Sequence, residues 1–235
     1  MWGNRVRARR ADTEAAFHAT GSDDFPPGGA EREKTASATG DVMSTSTTPS
    51  LVELIARADE RGLAAAALAC LDRCLPLLAP EATDQLRPLW LGVARGGTGW
   101  ADRLAEARAA VEAARTAPAD AEEAALVRRM LDAAPGAWAR EPLREWADTC
   151  SLAALELHHR LCAAPSPGLA EVLDRCRTGG PQGAGPLADG ELRRQTRVLE
   201  ILADGAAGGL RRALDLSAEG RRVLQAVLSR RARTA

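Results

Sequence analysis

The chain has 235 residues and a formal net charge of −1. This length allows one medium-sized domain or two small ones, with enough buried surface to be stable without a disulfide or a structural metal. Because the positive and negative charges almost cancel, no overall field indicates nucleic acid, an anionic membrane or an acidic substrate as a partner.

The amino-acid usage predicts a helical protein from a high-GC bacterium. Lys34 is the single lysine among 31 basic residues, and tyrosine is absent. Both residue types have AT-rich codons, so a GC-rich genome explains their scarcity. The core must then be built mainly from leucine, alanine, valine and tryptophan, of which leucine and alanine are strong helix formers, while residues that sheets prefer are few. We therefore predict an all-α fold, an irregular bundle of about nine or ten short helices.

Two features predict a cytoplasmic protein with no membrane contact. Five cysteines occur without a secretory signal, since the arginines near the N-terminus precede polar and acidic residues rather than an apolar stretch. The longest apolar run, Leu63 to Leu71, is stopped by Asp72 and Arg73, well short of a membrane span.

Residues 1–49 are predicted to form a disordered tail, because they are rich in small and polar residues without a sustained apolar period. Translation from Met43 is an open alternative, and most of this tail would then lie upstream of the true start. Order is expected from Ser50, which forms a capping box pattern with Glu53.

Residues 50–177 are predicted to form a helical bundle. Gly62 is expected to end the first helix, Thr98 to cap the fourth, and Pro88 to kink or split the third. The helices are expected at about 51–61, 63–75, 81–94, 99–116, 118–134, 141–163 and 168–177.

The helix over 141–163 is predicted to be the central element. It carries an apolar stripe at spacings of three and four residues, with Leu152 and Leu155 on roughly the opposite side, and a helix that is apolar on two sides is normally covered by neighbours. The alternative is that the stripe is a docking face covered only by a partner. The stripe consists of Leu143, Trp146, Cys150, Ala154, Leu157 and Leu161.

Residues 178–189 are predicted to be a Gly/Pro-rich linker or loop, followed by a basic C-terminal helical segment over 190–235. Three helices are expected in this segment, at about 190–203, 206–216 and 218–232. Ser217 is expected to cap the last of them.

Two pairs of soft ligands suggest a zinc site or a thiol-redox sensor. Cys70 and Cys74 are spaced i, i+4, and so are His158 and Cys162, so that each pair projects from one face of a helix. Two adjacent helices could then supply four tetrahedral ligands. The competing interpretation is that these cysteines are small buried apolar residues.

Glu156 and His159 have the Glu-x-x-His spacing of di-iron bundles. Such a site needs a second copy of the motif and two further glutamates, which one chain does not supply. We therefore expect both side chains to lie on the surface.

The C-terminal segment offers a candidate nucleic-acid-binding surface, because its arginines could contact a phosphate backbone. A solvated helix face with arginines near a helix C-terminus explains the same charge without nucleic acid. The candidate residues are Arg211, Arg212, Arg221, Arg222, Arg230 and Arg231, followed by Arg233.

No nucleophile elbow, phosphate-binding loop or dinucleotide fingerprint occurs in the sequence. We therefore predict a non-enzymatic helical interaction or regulatory protein that binds a protein partner or a second copy of itself, and that needs no cofactor. The alternatives are a nucleic-acid-associated transcriptional regulator and a sensor that uses thiol redox chemistry or zinc.

Overall fold

The computed structural model describes residues 48–80, 84–116, 121–162, 167–179 and 183–234. Within these ranges, nine α-helices and one 3-10 turn contain 78% of the residues, and there is no strand. The predicted all-α class is therefore confirmed. Residues 1–47 of the predicted tail, including Met43, lie outside the described residues.

The described helices differ widely in length, which agrees with an irregular bundle rather than a repeat. A 3-10 turn at Leu75–Leu77 directly follows the second helix. In chain order the helices are α1 (Leu51–Arg57), α2 (Glu60–Cys74), α3 (Arg87–Ala94), α4 (Trp100–Ala114), α5 (Glu122–Asp132), α6 (Arg140–Arg160), α7 (Leu169–Gly179), α8 (Pro186–Ala203) and α9 (Gly209–Thr234).

The start of α1 follows the sequence prediction, but its end does not. The Ser50 hydroxyl accepts a hydrogen bond from the Glu53 amide, and the Glu53 carboxylate accepts one from the Ser50 amide, which completes the capping box. Gly62, expected to terminate this helix, lies inside α2 instead. Asp59 caps α2 by accepting a hydrogen bond from the Gly62 amide at 2.7 Å, and a side-chain cap at this point starts a new helix before the glycine.

Helix α2 is the most enclosed element of the bundle and packs against α6, α8 and α9. From Gly62 to Cys74 every residue except Ala66 is buried. The prediction that α6 is the central helix is therefore only partly right, since α6 is one of several helices that surround α2.

The apolar stripe of α6 is core in the isolated chain. Trp146 is 1% exposed and Cys150 is fully buried, so the stripe is not a docking face that waits for a partner. On the other side, Leu155 is buried but Leu152 is 37% exposed. The expectation that both sides of α6 are covered thus fails at Leu152.

The C-terminal part has two long helices where three were expected. Helix α8 already begins at Pro186, and α9 runs without a break over the two last predicted helices. Ser217, predicted to be an N-cap, is buried in the middle of α9. Its hydroxyl is 3.2 Å from the Ala69 carbonyl oxygen and 2.8 Å from a carboxylate oxygen of Asp72, so it serves a contact between α9 and α2.

Two predicted helix starts in the first half also differ from the structure. Helix α3 begins at Arg87, so that Pro88 occupies its first turn, where proline needs no hydrogen-bond partner, rather than kinking a longer helix. Residue Gly99, with φ of 67°, occupies the N-cap position of α4. Thr98 does not cap this helix, because its hydroxyl donates to the Arg95 carbonyl. The predicted start of the fifth helix, at residue 118, lies outside the described part of the chain.

None of the described helices is both long and apolar enough to cross a membrane.

Candidate functional site

A fully buried ion pair lies at the centre of the bundle. Arg73 of α2 donates from Nε to both carboxylate oxygens of Glu191 of α8, at 3.1 and 2.9 Å, and from Nη2 to Oε1 at 2.5 Å. Both side chains are 0% exposed. Burial by itself raises the pKa of Glu191, but the Arg73 charge and the hydrogen bonds from Arg73 and Gln195 outweigh it and hold this pKa below its ordinary value. The carboxylate is therefore ionised inside the core.

Three further helix side chains complete this buried network. Gln195 donates to Glu191 at 3.0 Å, and Ser151 of α6 donates to the Gln195 amide oxygen at 2.7 Å. The Nε2 atom of His158 lies 3.7 Å from the second Glu191 oxygen. Burial lowers the pKa of His158 below its ordinary value even though Glu191 raises it, so the imidazole is neutral. The network joins α2, α6 and α8.

The cysteines of α2 lie beside the same ion pair and are protonated. Burial raises the pKa of Cys70 to about 12, and it raises the pKa of Cys74 well above its ordinary value. The thiolate is the reactive form of cysteine, and these thiols are also shielded from solvent. Their surroundings thus favour the interpretation of small buried apolar residues.

The four predicted zinc ligands are not gathered around one point. His158 is buried, with Nδ1 2.7 Å from the Ala154 carbonyl oxygen. In contrast, Cys162 is exposed just beyond the end of α6, where its thiol donates to the His159 carbonyl. Throughout the described ranges, no three histidine, cysteine or acidic side chains are grouped in a way that could hold a metal ion.

The expectation that Glu156 and His159 both lie on the surface is wrong for the histidine. His159 is buried, and its Nδ1 atom is 2.8 Å from the Ala184 carbonyl oxygen, which ties the segment before α8 to α6. Glu156 is half-buried and forms ion pairs with Arg160 at 2.6 Å and Arg129 at 3.8 Å. Glu156 therefore takes part in ion pairs at the surface of the bundle.

The predicted arginines of α9 have different surroundings. Arg211 is exposed and lies 3.9 Å from Asp215, whereas Arg221 is half-buried and lies 3.4 Å from Asp72. The candidates that are exposed along this helix are Arg211, Arg212, Arg222, Arg230 and Arg231, together with Arg233.

A large cleft lies between the start of α1, the end of α7, the middle of α8 and one side of α9. Its volume is about 730 Å³, and we call it the arginine-rimmed cleft. Volumes of roughly 300–1,000 Å³ are typical of ligand sites. It is lined by Thr48, Pro49, Ser50, Leu51, Cys176, Thr178, Gly179, Leu192, Arg193, Arg194, Thr196, Arg197, Glu200 and Leu216.

A second, smaller depression of about 410 Å³ lies between α3 and α9, and we call it the α3–α9 groove. Leu91 in its wall is 42% exposed, which makes it the most exposed large apolar side chain in the described part of the protein. The groove is lined by Asp72, Asp84, Leu86, Arg87, Trp90, Leu91, Ala94, Leu210, Leu214, Asp215, Ala218 and Arg221.

Sequence reasoning missed both depressions and the buried ion pair. Arg73 and Glu191 are 118 positions apart, and in the sequence alone the arginine marks only the end of an apolar run. The one available signal was that Arg73 is followed at once by Cys74 and Leu75, so that a charge interrupts an apolar face.

Comparison with known proteins gives no match to a family model, to a curated protein or to a solved structure.

Proposed function

We propose that this protein is a non-enzymatic helical interaction or regulatory protein that acts as a dimer, with the α3–α9 groove as its interface. The observation that carries the proposal is the exposure of Leu91 in an apolar groove. Because Leu91 is 42% exposed, burying the remainder in a partner gains about 1 kcal/mol, a little under half of what burying a whole leucine contributes. The buried side chains of Arg73, Glu191 and His158 contact one another, so their role is in the fold rather than in surface chemistry.

The charges of the groove favour a second copy of this chain as its occupant. Arg87 has no ion pair in the described part of the chain, while Asp215 lies 3.9 Å from Arg211 in an exposed pair that solvent screens. In the proposed two-fold dimer, Arg87 of each copy would face Asp215 of the other, since both line the groove. Leu91 of each copy would then pack against the apolar residues Leu210 and Leu214 of the other, which line the same groove. Such an isologous arrangement is the commonest form of self-association.

Sedimentation velocity of the purified full chain tests this proposal. Leu91→Arg should convert the wild-type dimer into a monomer, since the new charge would be buried at the interface. The matched control is Leu152→Arg on α6, because Leu152 has a similar exposure of 37% but lies outside the groove. The control should remain a dimer.

A wild-type chain that is monomeric at micromolar concentration would refute the proposal. Dissociation caused equally by Leu91→Arg and Leu152→Arg would refute it as well, because the interface would then not be the groove. Circular dichroism of each variant should match that of the wild type.

A nucleic-acid-associated regulator is the second candidate, because α9 presents a row of exposed arginines. Arg211, Arg222 and Arg233 are spaced eleven residues apart, which is close to three helical turns, so they lie along one side of the helix. Retention on duplex DNA should then fall steeply with salt. Arg222→Ala should reduce the slope of log affinity against log salt concentration by about one, the effect of one lost phosphate contact. Salt-independent or absent retention would contradict this candidate.

A further inference from the structure

The arginine-rimmed cleft has an apolar interior. Leu51 of α1 and Leu192 of α8 are almost completely buried, and Leu216 of α9 is half-buried, so that three separate helices supply its floor. Since these side chains come from elements held by the core, the cleft is part of the folded body rather than a gap between loops. A floor of this kind favours an apolar ligand body.

The rim of the cleft has more positive than negative charge. Three arginines and one glutamate line it. Arg197 and Glu200 form an exposed ion pair at 3.1 Å, which leaves Arg193 and Arg194 as the excess charge. Within the described residues, Arg193 has no ion pair.

The position of Arg194 keeps a positive charge at the cleft without giving it a strong partner. Its side chain is 17% exposed, and its Nη1 atom is 4.0 Å from Glu191. Both oxygens of Glu191 already accept hydrogen bonds from Arg73. The weak contact holds Arg194 in place, while most of its hydrogen-bonding capacity remains for a ligand.

We propose that the arginine-rimmed cleft binds a small amphipathic organic anion, with an apolar body on the leucine floor and a carboxylate head at Arg193 and Arg194. Arginine binds carboxylates through two parallel hydrogen bonds, which are among the stronger polar contacts in proteins. This site is separate from the α3–α9 groove and does not depend on the dimer.

Isothermal titration calorimetry of the full chain tests the proposal with three probes. Decanoate has both parts of the expected ligand, acetate has only the head, and decyltrimethylammonium has a similar apolar body with the opposite charge. Decanoate should bind with saturation at one site per chain, and the other two should bind at least tenfold more weakly. Saturable binding should also weaken as salt is added.

Variants place the binding in the cleft. Arg193→Ala and Arg194→Met should each weaken decanoate binding about tenfold, the effect expected for one lost charged hydrogen bond. Thr196→Trp, which puts a large side chain into the half-buried wall of the cleft, should abolish it. Arg95→Ala removes an exposed arginine outside the cleft and should leave the affinity unchanged.

Three results would overturn the proposal. The first is the absence of saturable decanoate binding in the low millimolar range by a wild-type chain with normal helicity. The second is equal binding of decyltrimethylammonium, which would show that only the apolar body matters. The third is decanoate binding that survives Thr196→Trp in a folded variant, because the site would then lie elsewhere.

Discussion

Removing the arginine of the buried ion pair should destabilise the protein strongly. Arg73→Met keeps most of the aliphatic stem but leaves the Glu191 carboxylate, which is 0% exposed, without its main counter-charge. Breaking a buried pair on one side costs about 3–5 kcal/mol. Since small domains have a total free energy of unfolding of about 5–15 kcal/mol, the loss should be large in a urea titration followed by circular dichroism.

The double variant Arg73→Met/Glu191→Met separates the lost pair from a mere packing defect. It removes both charges, and such replacements are often neutral or stabilising. We expect it to recover most of the stability that Arg73→Met loses. A single variant within about 1 kcal/mol of the wild type, or a double variant as unstable as the single one, would refute the reasoning.

The effect of Arg73→Met should also depend on pH. In the wild type the pKa of Glu191 is lowered, so its contribution to stability is present above the ordinary value of 4.5 and is lost as pH falls through the folded-state value. Without Arg73, burial raises this pKa, and stability is lost as pH rises. The difference between variant and wild type should therefore be largest at neutral pH and should shrink toward pH 4.5. A difference that is constant over this range would contradict the assignment.

Three further predictions concern the core. Trp146→Ala should lower the free energy of unfolding, measured by urea titration, by about 3–5 kcal/mol. Cys150 should resist thiol reagents until the protein unfolds, and rapid labelling of Cys150 in the native chain would contradict its burial. Gly220→Ala should cost about 1–3 kcal/mol, because a Cβ atom there would lie 2.3 Å from a buried arginine side chain, whereas Gly190→Ala, with no contact under 3.5 Å, should be neutral or stabilising. Because burial lowers the pKa of His158, the unfolded chain takes up a proton at pH values where the fold does not, so stability should fall as pH drops below 6.5. His158→Gln should reduce the dependence of stability on pH in this range. An unchanged pH dependence would show that another group causes it.

The features that the sequence predicts correctly depend on interactions between residues close together in the chain. The Ser50 capping box forms because both of its hydrogen bonds join residues three positions apart. The stripe of α6 is buried because its apolar period matches the turn of a helix, and Trp146 within it also donates to the Met130 carbonyl at 2.8 Å. Both features can be predicted without knowing how the other helices are arranged, provided that the protein has a core.

The failures occur where a distant contact overrides a local preference. Ser217 has the sequence of an N-cap, but its hydroxyl contacts Asp72 of α2, and the helix continues through it. Gly220, one turn later, lets α9 approach Arg73 closely. A polar or small residue inside a helix can thus mark a crossing point between helices rather than a helix end.

The two depressions could not have been predicted from the sequence, because each is built from helices that are distant in the chain. Leu51 and Leu216 both line the arginine-rimmed cleft although 165 positions separate them. The arginines of α8 could be recognised as charged, but not as the rim of an apolar cleft. The pairing of Glu191 with Arg73 likewise depends on the packing of α8 on α2.

A charge exchange across the α3–α9 groove tests the proposed interface most directly. Arg87→Asp and Asp215→Arg should each weaken the dimer, since each places like charges opposite each other in the two copies. The double variant should restore association, because the same pair is formed with its charges reversed. In sedimentation velocity we expect a wild-type dimer, two mainly monomeric single variants and a dimeric double variant. A double variant that is as monomeric as the single ones would contradict the proposed interface.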